Sequence, residues 1–128
     1  MDIICDTSFL MVLASTPIQR MNQLEAEIGK FHFIVPDKVI EELRTLEQRS
    51  GPKRSMIAKT ALGVSKLNMN IINLGKKRNN VDEALIEYTL NHKCGLATLD
   101  KGLIRRLVAK NAFVVTLSRN RLVAVNPR

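Results

Sequence analysis

Two aspartates follow apolar segments of the kind that form buried strands. The run Ile3–Cys5 leads into Asp6, and the segment CGLATL leads into Asp100. We take each aspartate as the last residue of its strand. Taken singly, each is more simply explained as an Asx turn or a helix cap. At matching ends of two central parallel strands, however, both carboxylates would emerge at one edge of a sheet and form part of an acidic site.

A third carboxylate belongs to a predicted helix. In the segment VIEELRTL, apolar residues recur at helical spacing and define one buried stripe. Glu42 lies at the edge of that stripe, whereas Glu41 points almost directly away from it. Glu42 is therefore better placed to reach inward, although an ordinary boundary residue that pairs with a surface base would lie in the same position.

A fourth acid, Asp82, opens the predicted helix VDEALIEYTL, where by itself it is no more than a cap, and Glu83 competes with it. If the four acids meet in one cleft, their mutual repulsion needs a cation to offset it. No catalytic histidine or nucleophilic serine motif lies near them. All-oxygen ligands favour Mg²⁺ or Mn²⁺, as one ion or two, which activate water for attack on a phosphodiester. The sequence therefore predicts a metal-assisted phosphodiesterase.

The distribution of charge favours a polyanionic partner. The net charge is +8, and the whole excess lies in residues 65–128, which hold twelve basic and four acidic residues. The basic residues near the predicted site are the candidates for phosphate contacts, although a solvated loop and a solvated helix face explain them equally well. They are Lys76, Lys77 and Arg78 in the loop GKKRNN, and Lys101, Arg105 and Arg106 after Asp100. Lys53 and Arg54 are weaker candidates.

Strand-like and helix-like segments alternate along the chain. Strands are predicted over 3–6, 31–35, 71–74, 94–100 and 112–117, with helices between them and a last short edge strand over 121–125. This alternation predicts a three-layer α/β/α fold with a central parallel sheet of about five strands. No linker divides the chain, so residues 1–128 form a single predicted domain.

The remaining composition excludes several other classes of protein. No apolar run approaches the roughly 20 residues that cross a bilayer, and the N-terminus lacks the features of a signal peptide. We therefore expect a cytoplasmic protein without a membrane partner. Cys5 and Cys94 fit no zinc spacing and are expected to be reduced thiols in the core.

Four segments together resemble a known family. DTSFL, VIEEL, VDEALIEYTL and ATLDKGL, in this order and spacing, resemble the four acidic blocks of the PIN domain, a family of metal-dependent ribonucleases. By position, the resemblance implies catalytic, metal-binding roles for Asp6, Glu42, Asp82 and Asp100. It implies that Thr98 orders the site. Many members of the family have a further Asp two residues after the last acid, where this chain has Gly102.

Two branches of the family fit the chain. The segments NHKCGLATLDKGLIRRL and VVTLSRNRLVAV resemble the PIN nucleases that process small-subunit ribosomal RNA more than the VapC-type toxins. The first branch implies a ribosome-assembly partner and the second an antitoxin. The helices with scattered apolar residues leave surface for a homodimer contact. The alternative is a PIN-like module that binds RNA, or acts as a scaffold, without cutting.

Overall fold

The computed structural model describes residues 1–15, 21–75, 80–119 and 121–125. Strands and helices alternate along these residues. The strands are β1 (Asp2–Cys5), β2 (His32–Pro36), β3 (Asn70–Ile72), β4 (Gly95–Ala97), β5 (Phe113–Ser118) and β6 (Arg121–Ala124). The helices are α1 (Thr7–Ser15), α2 (Met21–Ile28), α3 (Asp37–Arg49), α4 (Pro52–Asn68), α5 (Val81–His92) and α6 (Lys101–Ala109).

The strands form one sheet in the order β3-β2-β1-β4-β5-β6. The first five strands of this order are parallel, and β6 runs antiparallel to β5 at the edge. In the centre, Ile4 of β1 lies beside Ile34 of β2 and Leu96 of β4. The predicted fold class is confirmed, and the short last strand lies at the edge where it was expected.

The two faces of the sheet are covered by different helices. Alternate residues of β1 point to opposite faces, so Ile3 and Cys5 pack in one cluster and Ile4 in the other. The first cluster takes its helical residues from α1, α3 and α4, and the second takes them from α5 and α6. Because both faces are buried, the central strands are mainly apolar: Ile3–Cys5 of β1 and all three residues of β4 are buried, as in parallel strands between two helical layers.

The order of strands reverses between β1 and β4. From β1 the chain moves to β2 and β3 on one side, and β4 and β5 lie on the other side. In open parallel sheets, ligands bind in the crevice at the carboxyl ends of the strands that flank this reversal. The first and fourth predicted acids follow β1 and β4, so both lie at this crevice.

Both aspartates lie beyond the ends of their strands, which corrects the sequence-based boundaries. β1 ends at Cys5 and β4 ends at Ala97, three residues before Asp100. One backbone hydrogen bond continues the pairing after each strand. The N–H of Asp6 donates to the carbonyl of Ala97 (3.1 Å), and the N–H of Thr98 donates to the carbonyl of Val115 (3.0 Å). The backbone N–H of Asp100 then turns to the Thr98 hydroxyl (3.1 Å), which ends the pairing.

Other boundaries differ by a few residues for local reasons. The third strand was predicted to reach Leu74 but ends at Ile72, because the backbone N–H of Leu74 donates to the side chain of Asp37 (3.1 Å). The sequence also predicts a helix over 19–28; the first two positions of that range lie outside the described residues, and α2 spans Met21–Ile28.

Cys5 and Cys94 are buried free thiols, as predicted. Burial raises the pKa of Cys5 and raises the pKa of Cys94 to about 11, so both remain protonated at neutral pH and are poor nucleophiles. Among the described residues, no helix is long and apolar enough to cross a membrane.

Candidate active site

Asp6 is a buried carboxylate directly after β1, with 7% of its surface exposed. Its Oδ1 accepts hydrogen bonds from the Ser8 hydroxyl and the backbone N–H of Phe9, both at 2.9 Å, and its Oδ2 accepts one from the Thr98 hydroxyl. The bond from Phe9 makes Asp6 the N-cap of α1. The cap explanation is therefore correct as geometry. However, a cap needs only one carboxylate oxygen and tolerates exposure to water, so capping does not explain why Asp6 is buried.

The electrostatic environment of Asp6 opposes its charge. Burial raises the pKa of this carboxyl, the three hydrogen bonds lower it in part, and the nearby negative charge of Asp82 raises it further. Asp82 therefore lies close enough to Asp6 for the two carboxylates to repel each other. A cation bound between them would remove that cost.

Asp100 is connected to Asp6 through Thr98. The Thr98 hydroxyl is fully buried; it donates to Asp6 and accepts from the backbone N–H of Asp100. The carboxylate of Asp100 is exposed, and its Oδ1 caps α6 by accepting from the backbone N–H of Leu103 (3.1 Å). The predicted site residues Thr98 and Asp100 are thus joined by a hydrogen bond, and the same Thr98 hydroxyl contacts Asp6.

Glu42 reaches the same edge from α3. It is exposed, and its Oε1 accepts a hydrogen bond of 2.6 Å from the hydroxyl of Thr7, the residue after Asp6. Glu41 is also exposed and lines the groove beside Glu42. The choice of Glu42 over Glu41 agrees with this geometry, and its role in catalysis stays a prediction.

Asp82 is the second residue of α5 and does not cap the helix. The cap is Asn80, whose side-chain oxygen accepts from the backbone N–H of Glu83 (3.3 Å). Glu83 forms an ion pair with Arg106 of α6. Asp82 is left exposed at the start of the helix, within electrostatic reach of Asp6, so Asp82 and not Glu83 faces the site.

Two hydroxyls at the start of α1 were missed by the sequence analysis. Ser8 donates to Asp6 and accepts from the backbone N–H of Leu99 (3.2 Å), and Thr7 donates to Glu42. Together they join the β1–α1 junction to the β4–α6 loop and to α3. The only sequence signal was the placement of two hydroxyls directly after Asp6, and their partners lie 91 and 35 residues further along the chain.

The chemistry of the donors fits a hard divalent cation. Four carboxylates from four elements approach one edge of the sheet, and the buried one is destabilised by a like charge. Within the part of the chain that the structure describes, no group of three such ligands is already close enough to hold an ion. Mg²⁺ retains several waters and commonly binds through only one or two carboxylates, so it does not require such a group.

Gly102, at the position where many members of the family have a further Asp, lies against the site. Gly102 is the second residue of α6, and a Cβ built there would lie 3.3 Å from Oδ1 of Asp100. Such a contact is tighter than usual, so the carboxylate of Asp100 would have to shift to admit a side chain. The absence of an acid at this position therefore leaves Asp100 more room.

The predicted phosphate contacts divide into three groups. Lys101 and Arg105 are exposed on α6, next to Asp100. Arg106 is also exposed but forms an ion pair with Glu83 of α5, and its phosphate contact stays a prediction. Lys76, Lys77 and Arg78 lie outside the described residues.

The sequence profile of the PIN-like domain family matches residues 3–121. The chain therefore belongs to the PIN-like domain family, whose members are generally nucleases. No curated protein sequence matches the chain.

Solved structures share the fold at low sequence identity. The PIN domain endonuclease Utp24 gives a TM-score of 0.74 at 19% identity, over 98% of this chain and 91% of that one. VapBC2 from Rickettsia felis, bound to a DNA fragment from its promoter, gives 0.67 at 14% identity, over 92% of this chain and 100% of that one. A domain of a functionally unknown protein from Methanocaldococcus jannaschii gives 0.60 at 16% identity, over 91% of each chain.

Proposed function

We propose that this chain is a metal-dependent endoribonuclease that hydrolyses RNA phosphodiester bonds. The observation that carries the proposal is the buried carboxylate of Asp6 at the reversal of strand order, connected through Thr98 to Asp100 and repelled by Asp82. A purely structural cap gains nothing from this burial and this repulsion, whereas a cation bound to Asp6 would offset the cost of both.

Asp6, Glu42, Asp82 and Asp100 would hold one or two Mg²⁺ or Mn²⁺ ions. When bound, such an ion supplies a water of lowered pKa and neutralises charge on the phosphate oxygens. The donor set supports this choice, since it consists of carboxylate oxygens from four elements.

The chain's own residues orient the acids and the substrate. Ser8, Phe9 and Thr98 fix both oxygens of Asp6, and Thr7 fixes Glu42. Lys101 and Arg105 lie beside Asp100, where they would bind phosphates of the RNA. No protein nucleophile is required. Lys76, Lys77 and Arg78 are proposed to contribute further phosphate contacts.

The biological role falls in one of two branches. As a ribosomal RNA-processing enzyme the chain would act with a ribosome-assembly partner, and as a VapC-type toxin it would be held by an antitoxin. A cytoplasmic location and a homodimer are proposed for either role. Exposed Met56 and Leu67 on α4, 63% and 84% accessible, offer apolar surface for such a contact.

The test is cleavage of a mixed structured RNA by the purified protein, with Mg²⁺ or Mn²⁺ and with EDTA. Wild type and Asp100→Asn are compared, and the RNA ends are mapped. We expect cutting that needs both the metal and Asp100, with cut sites in ribosomal RNA precursors or in tRNA and mature rRNA separating the two roles. Equal cutting by both proteins would contradict the assigned site.

The second candidate function is a PIN-like module that binds RNA without cutting it. Two observations favour it: within the described residues no three acids already form a metal-ligand cluster, and the fifth acid of many family members is replaced by Gly102. Equal RNA binding by wild type and Asp100→Asn, with no cutting by either across several RNAs and both metals, would establish this alternative.

A further inference from the structure

A groove opens directly from the carboxylate site between α3, α4 and the start of α1. It has a volume of about 580 Å³, and residues that line it include Thr7, Glu42, Lys38, Thr45 and Arg54. Glu42 belongs to the candidate site and Thr7 contacts it, so the groove adjoins the site. We name it the α3–α4 groove.

A second groove of about 430 Å³ continues along α1. It shares Thr7 and Arg54 with the α3–α4 groove, and its other lining residues include Ser8, Met11 and Ile57. Arg54 therefore lies between the two grooves. Among the residues that line the second groove, Arg54 alone carries a charge.

Lys38 and Arg54 are the two cations among the residues that line these grooves. Within the described ranges neither forms an ion pair, although Glu41 and Glu42 line the same groove. Lys38 is half-buried and lies one helical turn before Glu42, whose carboxylate is occupied by the Thr7 hydroxyl. By contrast, Arg106 on the other side of the site is neutralised by Glu83. Unpaired cations beside an acidic site provide the charge that a phosphate backbone needs.

The fold holds Arg54 in this position. α4 begins at Pro52 after the N-cap Gly51, and the hydroxyl of Ser55 donates a hydrogen bond of 2.5 Å to the carbonyl of Glu47 near the end of α3. The first turn of α4 is thereby attached to the last turn of α3. Arg54 lies in that turn, so its backbone is fixed relative to the site.

We propose that a single RNA strand leaves the carboxylate site through the α3–α4 groove and passes over Arg54 into the second groove, with Arg54 and Lys38 binding its phosphates. This proposal deepens the ribonuclease proposal and rests on it for the position of the cut. Each groove has the volume of a pocket for a small ligand, which is enough for a nucleotide of a single strand. None of the residues that line the two grooves is aromatic, so recognition is through the backbone and tolerates different sequences.

The test is the binding of a fluorescently labelled single-stranded RNA by the full chain, measured by anisotropy in EDTA over a series of salt concentrations. The variants are Arg54→Gln and Lys38→Gln. The matched controls are Lys59→Gln on α4 and Arg44→Gln on α3, because both residues are exposed cations that line neither groove.

Removing Arg54 is expected to weaken binding about threefold to tenfold and to reduce the slope of log affinity against log salt by about 0.7, the value for one phosphate contact on a single strand. Lys38→Gln changes both quantities in the same direction, and the controls change neither. Arg54→Lys retains the slope, and a duplex RNA of the same length binds more weakly than the single strand.

Several results would overturn this path for the RNA. They are an unchanged slope in Arg54→Gln, an equal loss in the control variants, tighter binding of the duplex, or no RNA binding by wild type. This test can fail separately from the ribonuclease proposal. A changed salt slope in Arg54→Gln, with no RNA cutting by wild type, would support the RNA path and refute the nuclease. Cutting that depends on the acids, with an unchanged slope in Arg54→Gln, would support the nuclease and refute the RNA path.

Discussion

The hydroxyl of Thr98 donates a hydrogen bond to the carboxylate of Asp6, although 92 residues separate the two in the chain. Thr98 is fully buried and also accepts the backbone N–H of Asp100. One side chain therefore sets the orientation of Asp6 and the turn that presents Asp100. The contact exists because β1 and β4 are parallel neighbours in the sheet.

Thr98→Val tests this connection. Valine keeps the shape of the side chain but leaves the backbone N–H of Asp100 and one oxygen of Asp6 without their partner, so we expect a loss of about 1–3 kcal/mol in the free energy of unfolding. RNA cleavage should fall roughly tenfold or more. Unfolding in urea and single-turnover cleavage measure the two effects.

The matched control for Thr98 is Thr89→Val. Thr89 is also buried, and its hydroxyl donates to the carbonyl of Leu85 within α5, away from the acids. This variant should lose stability without a specific loss of cleavage. If both variants lower cleavage in proportion to stability, Thr98 has no role in ordering the site.

Asp6→Asn tests the electrostatic cost of the buried acid. Because burial and Asp82 raise the pKa of Asp6 above its ordinary value of 3.8, ionised Asp6 destabilises the fold. The favourable contribution of protonated Asp6 is fully present below pH 3.8 and is lost as pH rises through the raised pKa. In EDTA at neutral pH, Asp6→Asn should therefore melt at a higher temperature than wild type.

Circular dichroism melts of both proteins between pH 4 and pH 8 measure this difference. The advantage of Asp6→Asn should shrink as pH falls. Addition of Mn²⁺ should raise the melting temperature of wild type and leave that of the variant unchanged. A variant that is less stable than wild type at neutral pH in EDTA would show that Asp6 is held mainly as a cap.

Glu42→Gln and Glu41→Gln form a pair of neighbouring substitutions on α3. Only Glu42 contacts Thr7, next to Asp6, so Glu42→Gln should lower cleavage by about a hundredfold or more, whereas Glu41→Gln should change it less than threefold. Both residues are exposed, and neither variant should change stability by more than about 0.5 kcal/mol. A larger catalytic loss for Glu41→Gln would reverse the assignment.

The ion pair of Glu83 and Arg106 gives a prediction for α6. Both side chains are more than 40% exposed, so breaking the pair with Arg106→Gln should cost at most about 1 kcal/mol. Because Arg106 is paired with Glu83, Arg106→Gln should weaken RNA binding less than Lys101→Gln. The measurement is the slope of log affinity against log salt for the two variants. Equal slopes would indicate that the ion pair breaks when RNA binds.

The main acids and the sheet were predictable from local patterns. Asp6 and Asp100 follow short apolar runs, and Glu42 follows from helical spacing, so each signal lies within a few residues of the acid. The hydroxyls of Thr7 and Ser8 were missed because a single hydroxyl has no periodic signal and its partners are distant in the chain.

The basic residues show the same limit. Arg106 was predicted to contact phosphate, and its pairing with Glu83 was not foreseen because it depends on how α5 and α6 lie side by side. Arg54, which follows Gly51 and Pro52 in the sequence, was a weaker candidate for a phosphate contact. Its position between two grooves follows from the packing of α3 against α4 and from the bond between Ser55 and Glu47, and neither feature has a local pattern.

The most direct test of the central claim is Mn²⁺ binding by wild type, Asp6→Asn and Thr89→Val, measured by electron paramagnetic resonance. We expect wild type and Thr89→Val to bind one or two ions, and Asp6→Asn to lose at least tenfold in affinity while remaining folded. Equal affinity in all three proteins would mean that the buried carboxylate does not ligate a cation, and the assignment of the acidic site would be wrong.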